Sequence, residues 1–551
     1  MKIKLKLLSS LAKVFLDSEP AQSPGDERLS GFRNETISFQ AAWASEGGEA
    51  RSMATLTISS PIASIVRVRQ VRHVPVRFPT FPDADDNYLR KEPGLFPDLL
   101  SEPKEALRIW SDKWESAWID VTPDESTAPG VYPIELTLTE SETGASATRV
   151  MQVEILPALL PAQTLIHTKW FHCDCICQYY GVEMFSDEFF RIAENFISLA
   201  VKRGINMILT PIHTPMLDTA VGRERLTCQL VDVAVEGGKY RFSFDKLRRW
   251  VDMCKRCGVQ YYEIAHFFSQ WGAKYAPKIM ATVDGQARRI FGWDTPGTGA
   301  EYAAFLREYI PALLSELRKL GIDRQCWFHI SDEPTLDQLA DYKAAKAMVA
   351  DLLSGYPIMD ALSDYEFYAS GAVAKPIPAN NHIAPFIEHG VKGLWTYYCV
   401  GQYIDVSNMF MAMPSARNRI LGVQLYKFNI EGFLQWGYNF YNCQYSLYPV
   451  DPYLVTDADG FVPAGDAYQV YPGPGGVPEE SIRMMVTDEA MNDLRAFQLL
   501  ERLRGRDFVM GLIEDGLAQP ITFDRYPTED GYLLRLREKV NREIVKALAQ
   551  R

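Results

Sequence analysis

Residues 326–334 read CWFHISDEP: a mostly apolar run, then a serine, two adjacent carboxylates and a proline. The short apolar part, rich in aromatic and β-branched side chains, suits a buried strand. Pro334 ends any strand ladder and is expected to push Glu333 into extended geometry. Neighbours on a regular strand face opposite ways, so Asp332 and Glu333 can flank one ligand only where the pleat breaks up. The competing reading is an acidic helix start, because DEPTLDQL puts carboxylates where a helix dipole favours them. The surrounding pattern decides between the two.

On both sides, strand-like runs alternate with helical ones. LIHTKWFHC (165–173) precedes the amphipathic SDEFFRIAENFISLAVKRG (186–204), with Ser186 as N-cap and Gly204 at its end. INMILTPIH (205–213) precedes a hairpin at 226–243 and the helical FDKLRRWVDMCKRCG (244–258). VQYYEIAHFF (259–268) precedes AEYAAFLREYIPALLSELRKLG (300–321), and QCWFHISDEP precedes LDQLADYKAAKAMVADLLSG (336–355). PIMDALSD, KPIPAN, KGLWTYYC and EGFLQWGYNF supply four more strands, making eight βα units. The economical solution is a closed eight-stranded parallel (β/α)8 barrel of the TIM type. An open doubly wound sheet is the alternative, but no glycine-rich phosphate loop marks a nucleotide crevice.

Residues 1–160 read differently, as short β-branched and aromatic runs separated by turns, the signature of a β-sandwich. MKIKLKLLSSLAKVFLD alternates lysines with apolar residues like a strand, and Lys13 and the lack of a small-residue cleavage site argue against a signal peptide. PALLPAQ (157–163) reads as a linker, and 443–478 as a long Pro/Gly-rich loop over the barrel mouth. The expected division is a sandwich at 1–160, a catalytic barrel at 161–508 and a helical extension at 509–551.

A net charge of −13 disfavours nucleic acid, and no apolar run is long enough to span a membrane. The 11 Trp and 27 Tyr suit sugar-stacking surfaces as well as cores. Nine cysteines, an odd number, point to reduced thiols and a cytoplasmic setting. HCDCIC (172–177) alternates so that Cys173, Cys175 and Cys177 share one face of a strand, which reads as packing rather than as a zinc site.

In a (β/α)8 barrel the chemistry sits at the C-terminal strand ends, where Asp332 and Glu333 terminate strand four. A retaining glycosidase of the common barrel type carries a second carboxylate on strand seven. Here that strand offers only Trp395, Tyr397 and Tyr398. The substrate is therefore expected to supply its own nucleophile, the oxygen of a 2-acetamido group. Asp332 would orient that amide, and Glu333 would protonate the leaving oxygen. Candidate sugar contacts at other strand ends are Trp170 and His172 on strand one, His213 on strand two and His266 on strand three. Asp364 follows strand five; Trp395, Tyr397 and Tyr398 lie on strand seven; Trp436 and Tyr438 lie on strand eight. Trp436 and Tyr398 lead for stacking or acetamido contact. No acidic or histidine partner stands at ligand spacing from the rim histidines, so no metal is assigned.

RNETISFQ (33–40), WIDVTPDESTAPGVYPIELTL (118–138), HISDEP (329–334), GFLQWGYNFY (432–441) and YPGPGG…SIRMM (471–485) resemble glycoside hydrolase family 123 and its uncharacterised relatives. That family comprises β-N-acetylgalactosaminidases, and the likeness runs through most of the chain. It implies a sandwich followed by a catalytic barrel, no metal or cofactor, and retention through the acetamido group. Asp332 and Glu333 match the family's adjacent catalytic pair. The expected activity is an exo-acting β-N-acetylhexosaminidase with a carbohydrate substrate and no nucleic-acid or membrane partner; the oligomeric state stays open. Two alternatives remain: a glycosidase for sugars lacking the acetamido group, using Asp364 or Asp405, and a non-catalytic carbohydrate-binding protein.

Overall fold

The computed structural model describes residues 2–21, 27–47, 51–103 and 106–550. The fold is mixed α/β. Near the N-terminus two largely antiparallel sheets share one apolar core, built by residues such as Leu5, Phe39, Trp43 and Ile119 from one sheet and Ile134, Leu138 and Val153 from the other. Strand Lys2–Ser9 buries Ile3, Leu5 and Leu7 while Lys2 faces outward, as its alternation requires. The seven-stranded sheet includes two strands from far along the chain, Val470–Tyr471 and Glu479–Ser481; the latter pairs antiparallel with Gly94–Ser101.

Eight parallel strands follow, here β1 to β8 in chain order: Ile166–Lys169, Met207–Thr210, Tyr261–Ile264, Cys326–Trp327, Met359–Ala361, Lys375–Ile377, Trp395–Tyr397 and Gly432–Gln435. Ladders join β4, β3, β2, β1, β8 and β7 in that order, and β5 pairs with β6. Single parallel bridges, Phe328 to Ile358 and Ala379 to Tyr397, link β4 toward β5 and β6 toward β7, so the pairing returns to its start. The helices fall where the sequence places them. Asp187–Lys202 is capped by the Ser186 side chain, and Asp245–Cys257 ends on left-handed Gly258. Pro311 lies inside the long helix Ala300–Lys319.

Three local expectations are corrected. HCDCIC is not a strand: Cys173–Tyr180 is a helix, with Asp174 in its first turn and left-handed Gly181 as its stop. None of the nine cysteines forms a disulfide. A four-stranded accessory sheet adds a hairpin, Ile279–Val283 with Gln286–Phe291, to the expected one. Its Asp284-Gly285 turn has both φ values positive, the geometry of a tight two-residue hairpin. Finally, Glu333 is not extended but left-handed, with φ +44°.

Buried ion pairs tie the parts together. Arg69 lies between Asp120 and Glu480. Arg203 donates to Glu480 at 2.6 Å and to Asp488 at 3.0 Å. On the C-terminal helix Asp530–Ala549, Arg537 reaches Glu35 at 2.6 Å and Asp493 at 2.8 Å.

Candidate active site

β4 is only two residues long, so the segment beyond it is held by its neighbours rather than by a ladder. Phe268 N–H donates to the Ile330 carbonyl at 3.1 Å, and the Ser331 hydroxyl donates to the Ser269 carbonyl at 2.7 Å. Trp271 N–H donates to the Asp332 carbonyl at 2.9 Å. This zipper carries the chain past the sheet and into the left-handed turn at Glu333. Pro334 disfavours the right-handed helical region at Glu333, and the turn resolves the conflict on the positive-φ side.

Asp332 and Glu333 thereby line one cleft with about 110 Å³ open to water centres. Asp332 is buried and its Oδ2 accepts from the Gln270 amide at 3.2 Å. Burial, then the charge of Glu333, pushes its carboxyl well above the usual range, and nearby His329 opposes that. The Tyr397 hydroxyl donates to Glu333 Oε1 at 2.5 Å.

Of the other candidates, Trp170, His172, Tyr397 and Trp436 line this cleft. His172 is fixed from both sides: Arg225 donates toward Nδ1 at 3.2 Å, leaving Nε2–H to donate to the Trp436 carbonyl at 2.9 Å. The Trp436 indole N–H donates to buried Asp466 at 2.9 Å.

The remaining candidates lie elsewhere, for reasons of pleat and packing. Tyr398, next to Tyr397, faces the opposite way into a helix-packed core against Phe433. Trp395 points inward but a layer deeper, tilted against Trp327 at 5.0 Å. A Cβ on Gly432 would overlap its ring, so glycine is required there. Tyr438 is buried and donates to the Phe196 carbonyl at 2.8 Å. His213 donates to the His266 carbonyl at 2.7 Å, and the His266 ring stacks on His329 at 4.1 Å. Asp364 caps the helix Tyr365–Ala369, accepting from Phe367 N–H at 3.1 Å.

The sequence reading missed Asp218, Gln270, Trp271, Phe461 and Val462, all of which line the cleft. They sit on loops, where no periodicity marks them; a tryptophan beside glycine in SQWGAK was the available signal.

Beneath the cleft runs a buried polar layer. His329 Nε2 faces Glu263 at 2.8 Å and Nδ1 faces Asp360 at 3.1 Å. Both ring nitrogens meet carboxylates, so both donate and the ring is an imidazolium. Burial pulls its pKa down, but the bonds to Asp360 and Glu263 outweigh this and lift it to about 10. Glu263 also accepts from Thr168 and from the Trp170 indole, the latter at 2.8 Å, so one buried charge network orients a cleft wall. His266, His329 and Asp360 bring donor atoms within 4.8 Å of one another, a grouping hidden from sequence spacing; both His329 nitrogens are already engaged by carboxylates.

The site contains a buried Asp332 beside a half-buried Glu333, an aromatic wall and a tyrosine hydrogen-bonded to one acid, a set suited to acid-assisted cleavage of a sugar acetal. Residues 170–500 match the catalytic domain of glycoside hydrolase 123. No curated protein sequence matches the chain. Among solved structures, a family 123 glycoside hydrolase from Clostridium perfringens, which acts in glycolipid glycan hydrolysis, superposes with a TM-score of 0.74 at 14% identity, covering 100% of this chain and 98% of its own. An endo-β-1,4-mannanase from Thermotoga petrophila reaches only 0.32 at 11% identity, covering 61% of this chain and 78% of its own. Bacteroides uniformis β-glucuronidase 3 reaches 0.29 at 10% identity, with 90% and 51% covered. With the family's catalytic domain spanning more than half of its residues, the chain belongs to glycoside hydrolase family 123 and is a glycoside hydrolase.

Proposed function

We propose that this enzyme releases 2-acetamido sugars from the non-reducing ends of glycans, with retention, through the substrate's own acetamido group. The acetamido oxygen attacks C1 and the bond from C1 to the leaving oxygen breaks. Glu333 gives its proton to that oxygen, and an oxazoline forms. Water then adds to C1 as Glu333 takes back a proton, reopening the ring to the hemiacetal. Asp332 accepts from the acetamido N–H and balances the charge that develops on the amide.

The observation that carries this reading is the pairing itself: Asp332 and Glu333 share one cleft, and the β7 position opposite holds Tyr397 instead of a carboxylate. Burial and the neighbouring Glu333 charge favour the protonated form of Asp332. An acetamido N–H donated to Asp332 favours its charged form. The Clostridium perfringens relative makes glycolipid glycans one substrate class to try. The closed pairing of β1 to β8 supports a (β/α)8 barrel over 161–508, the shared core of the two N-terminal sheets supports a β-sandwich over 1–160, and the helices Arg506–Ile513 and Asp530–Ala549 support a helical extension over 509–551.

The test is a panel of aryl glycosides with an anomer-resolved NMR readout. Preference for 2-acetamido sugars, a retained first product and inhibition by a thiazoline that mimics the oxazoline are expected. Preference for plain glucosides or galactosides rejects the route. A second reading has one observation in its favour: Asp218, a further carboxylate on the cleft wall, could serve as base for sugars lacking the acetamido group. Asp218→Asn would then abolish turnover of every substrate.

A further inference from the structure

The cleft has a graded depth. Trp170, Asp332, Tyr397 and Leu434 are no more than 6% exposed, whereas Trp271 is 42% exposed at the mouth. An exo-acting enzyme buries the sugar it releases, so the mouth faces the group that leaves. Three loops meet there. Trp271 belongs to the loop after β3, and its backbone is held at both ends: its N–H donates to the Asp332 carbonyl, and its carbonyl accepts from Gln338 at 2.8 Å. Asp218 comes from the loop after β2, and its carbonyl accepts from Ser446 of the long 443–478 loop at 2.9 Å. Tyr445 of that loop stands edge-on to the Trp271 ring at 6.5 Å.

Two features set these residues apart from ordinary loop packing. Asp218, Trp271 and Tyr445 are all non-glycine residues in the left-handed region, with φ of 42°, 58° and 59°. Such strain persists only where the surroundings over-determine it, and it concentrates at ligand sites. The Asp218 carboxyl is also held by backbone hydrogen bonds from Tyr445 and Ser446, which fix it against the 443–478 loop on the cleft wall. A carboxyl held in this way presents a fixed acceptor at the mouth.

We propose that Trp271 and Asp218 form the subsite for the leaving group, taking a pyranose whose apolar face lies on the indole and whose hydroxyl donates to the Asp218 carboxyl. An exposed indole beside a carboxylate matches the two sides of a sugar ring, one of C–H groups and one of hydroxyls. This inference rests on the acetamido reading above and extends it to the leaving side. The chain then prefers a saccharide leaving group over one too small to reach the mouth.

Two substrates with the same 2-acetamido sugar separate the subsites: a disaccharide and the corresponding glycosyl fluoride. The readout is the ratio of kcat/KM for the two. Trp271→Gly suits the fold, because a φ of 58° is cheap for glycine. It is expected to lower the disaccharide-to-fluoride ratio by about tenfold, and Asp218→Asn by about threefold to tenfold. Equal losses on both substrates in either variant, or no loss on the disaccharide, overturn the subsite. Complete inactivity of Asp218→Asn on the fluoride as well would assign Asp218 to the chemistry and overturn it too. A wild-type enzyme inert on both compounds but active on plain glycosides rejects the acetamido reading, and this inference with it.

Discussion

Two sets of buried carboxylates in this enzyme face opposite fates. At the seam between the N-terminal sheets and the helices, Glu480 is buried among arginines, and Arg203 and Arg69 outweigh its burial to hold it at about 2. Asp493 is likewise kept low by Arg419 and Arg537 despite burial. In the cleft, Asp332 is equally buried but has Glu333 beside it, and burial wins. At Glu480 and Asp493 the guanidinium pairs keep the acid ionised and the parts registered, whereas burial still raises Asp488 beside Arg203 and lifts Glu489 beside Arg419 to about 7. Among the described residues the cleft gives Asp332 no bonded guanidinium, and burial with the charge of Glu333 outweighs the opposing His329 to favour its protonated form. What a buried acid does here is decided by the balance between its burial and the cations placed around it.

Substitutions probe both ends of that contrast. The largest effect is expected from Glu333→Gln, which should lower kcat by about 10²–10⁴-fold, with a smaller loss on activated aryl leaving groups, while Tm is kept. Full activity in that variant would remove Glu333 from its role. Arg69→Ala leaves Asp120 and Glu480 without their shared cation and should cost about 3–5 kcal/mol in a denaturant melt.

His329→Gln removes the imidazolium beneath Asp332, so Asp332 should bind its proton more tightly. The acid limb of the pH–rate profile then moves to higher pH, whereas Asp360→Asn, which removes a negative charge, should move it lower. A purely structural role would give neither shift nor the opposition of sign.

The pH dependence of stability carries the same contrast. A carboxyl held near 2 in the fold and near 4.5 when unfolded stabilises the protein above about pH 4.5, and that contribution is lost as the pH falls toward 2. Asp332 acts in reverse, since a raised pKa means its ionisation costs stability at neutral pH. The smallest effect is accordingly a slight rise in Tm for Asp332→Asn at pH 7, with activity lost. A fall in Tm would mean that the cleft acid supports the fold.

Much of this was legible in the chain because backbone rules are local. Ser186 and Gly258 bound their helices as capping chemistry requires, and the apolar runs became β1 to β8. The Asp332–Glu333 pair was readable because a proline and a strand end coincide. The conformation of Glu333 was not, since its left-handed turn depends on bonds from the 267–271 loop. Cys173–Tyr180 misled because alternating cysteines mimic a strand, whereas Gly181 was the better cue. Trp395 and Tyr398 were misplaced because strand parity and layer depth are set by closure of the whole ring. Asp218 and Trp271 escaped because loops carry no period.

The strand Glu479–Ser481 has a consequence for biosynthesis. It completes the sheet whose neighbouring strand ends at Ser101, so the two pairing partners leave the ribosome far apart in time. At about 5–20 residues per second, the 377 residues between them take about 20–75 s to synthesise. Throughout that interval the Gly94–Ser101 edge has its permanent partner still unmade. A nascent chain stalled before residue 479 should present that edge to chaperones, and release after 481 should withdraw it.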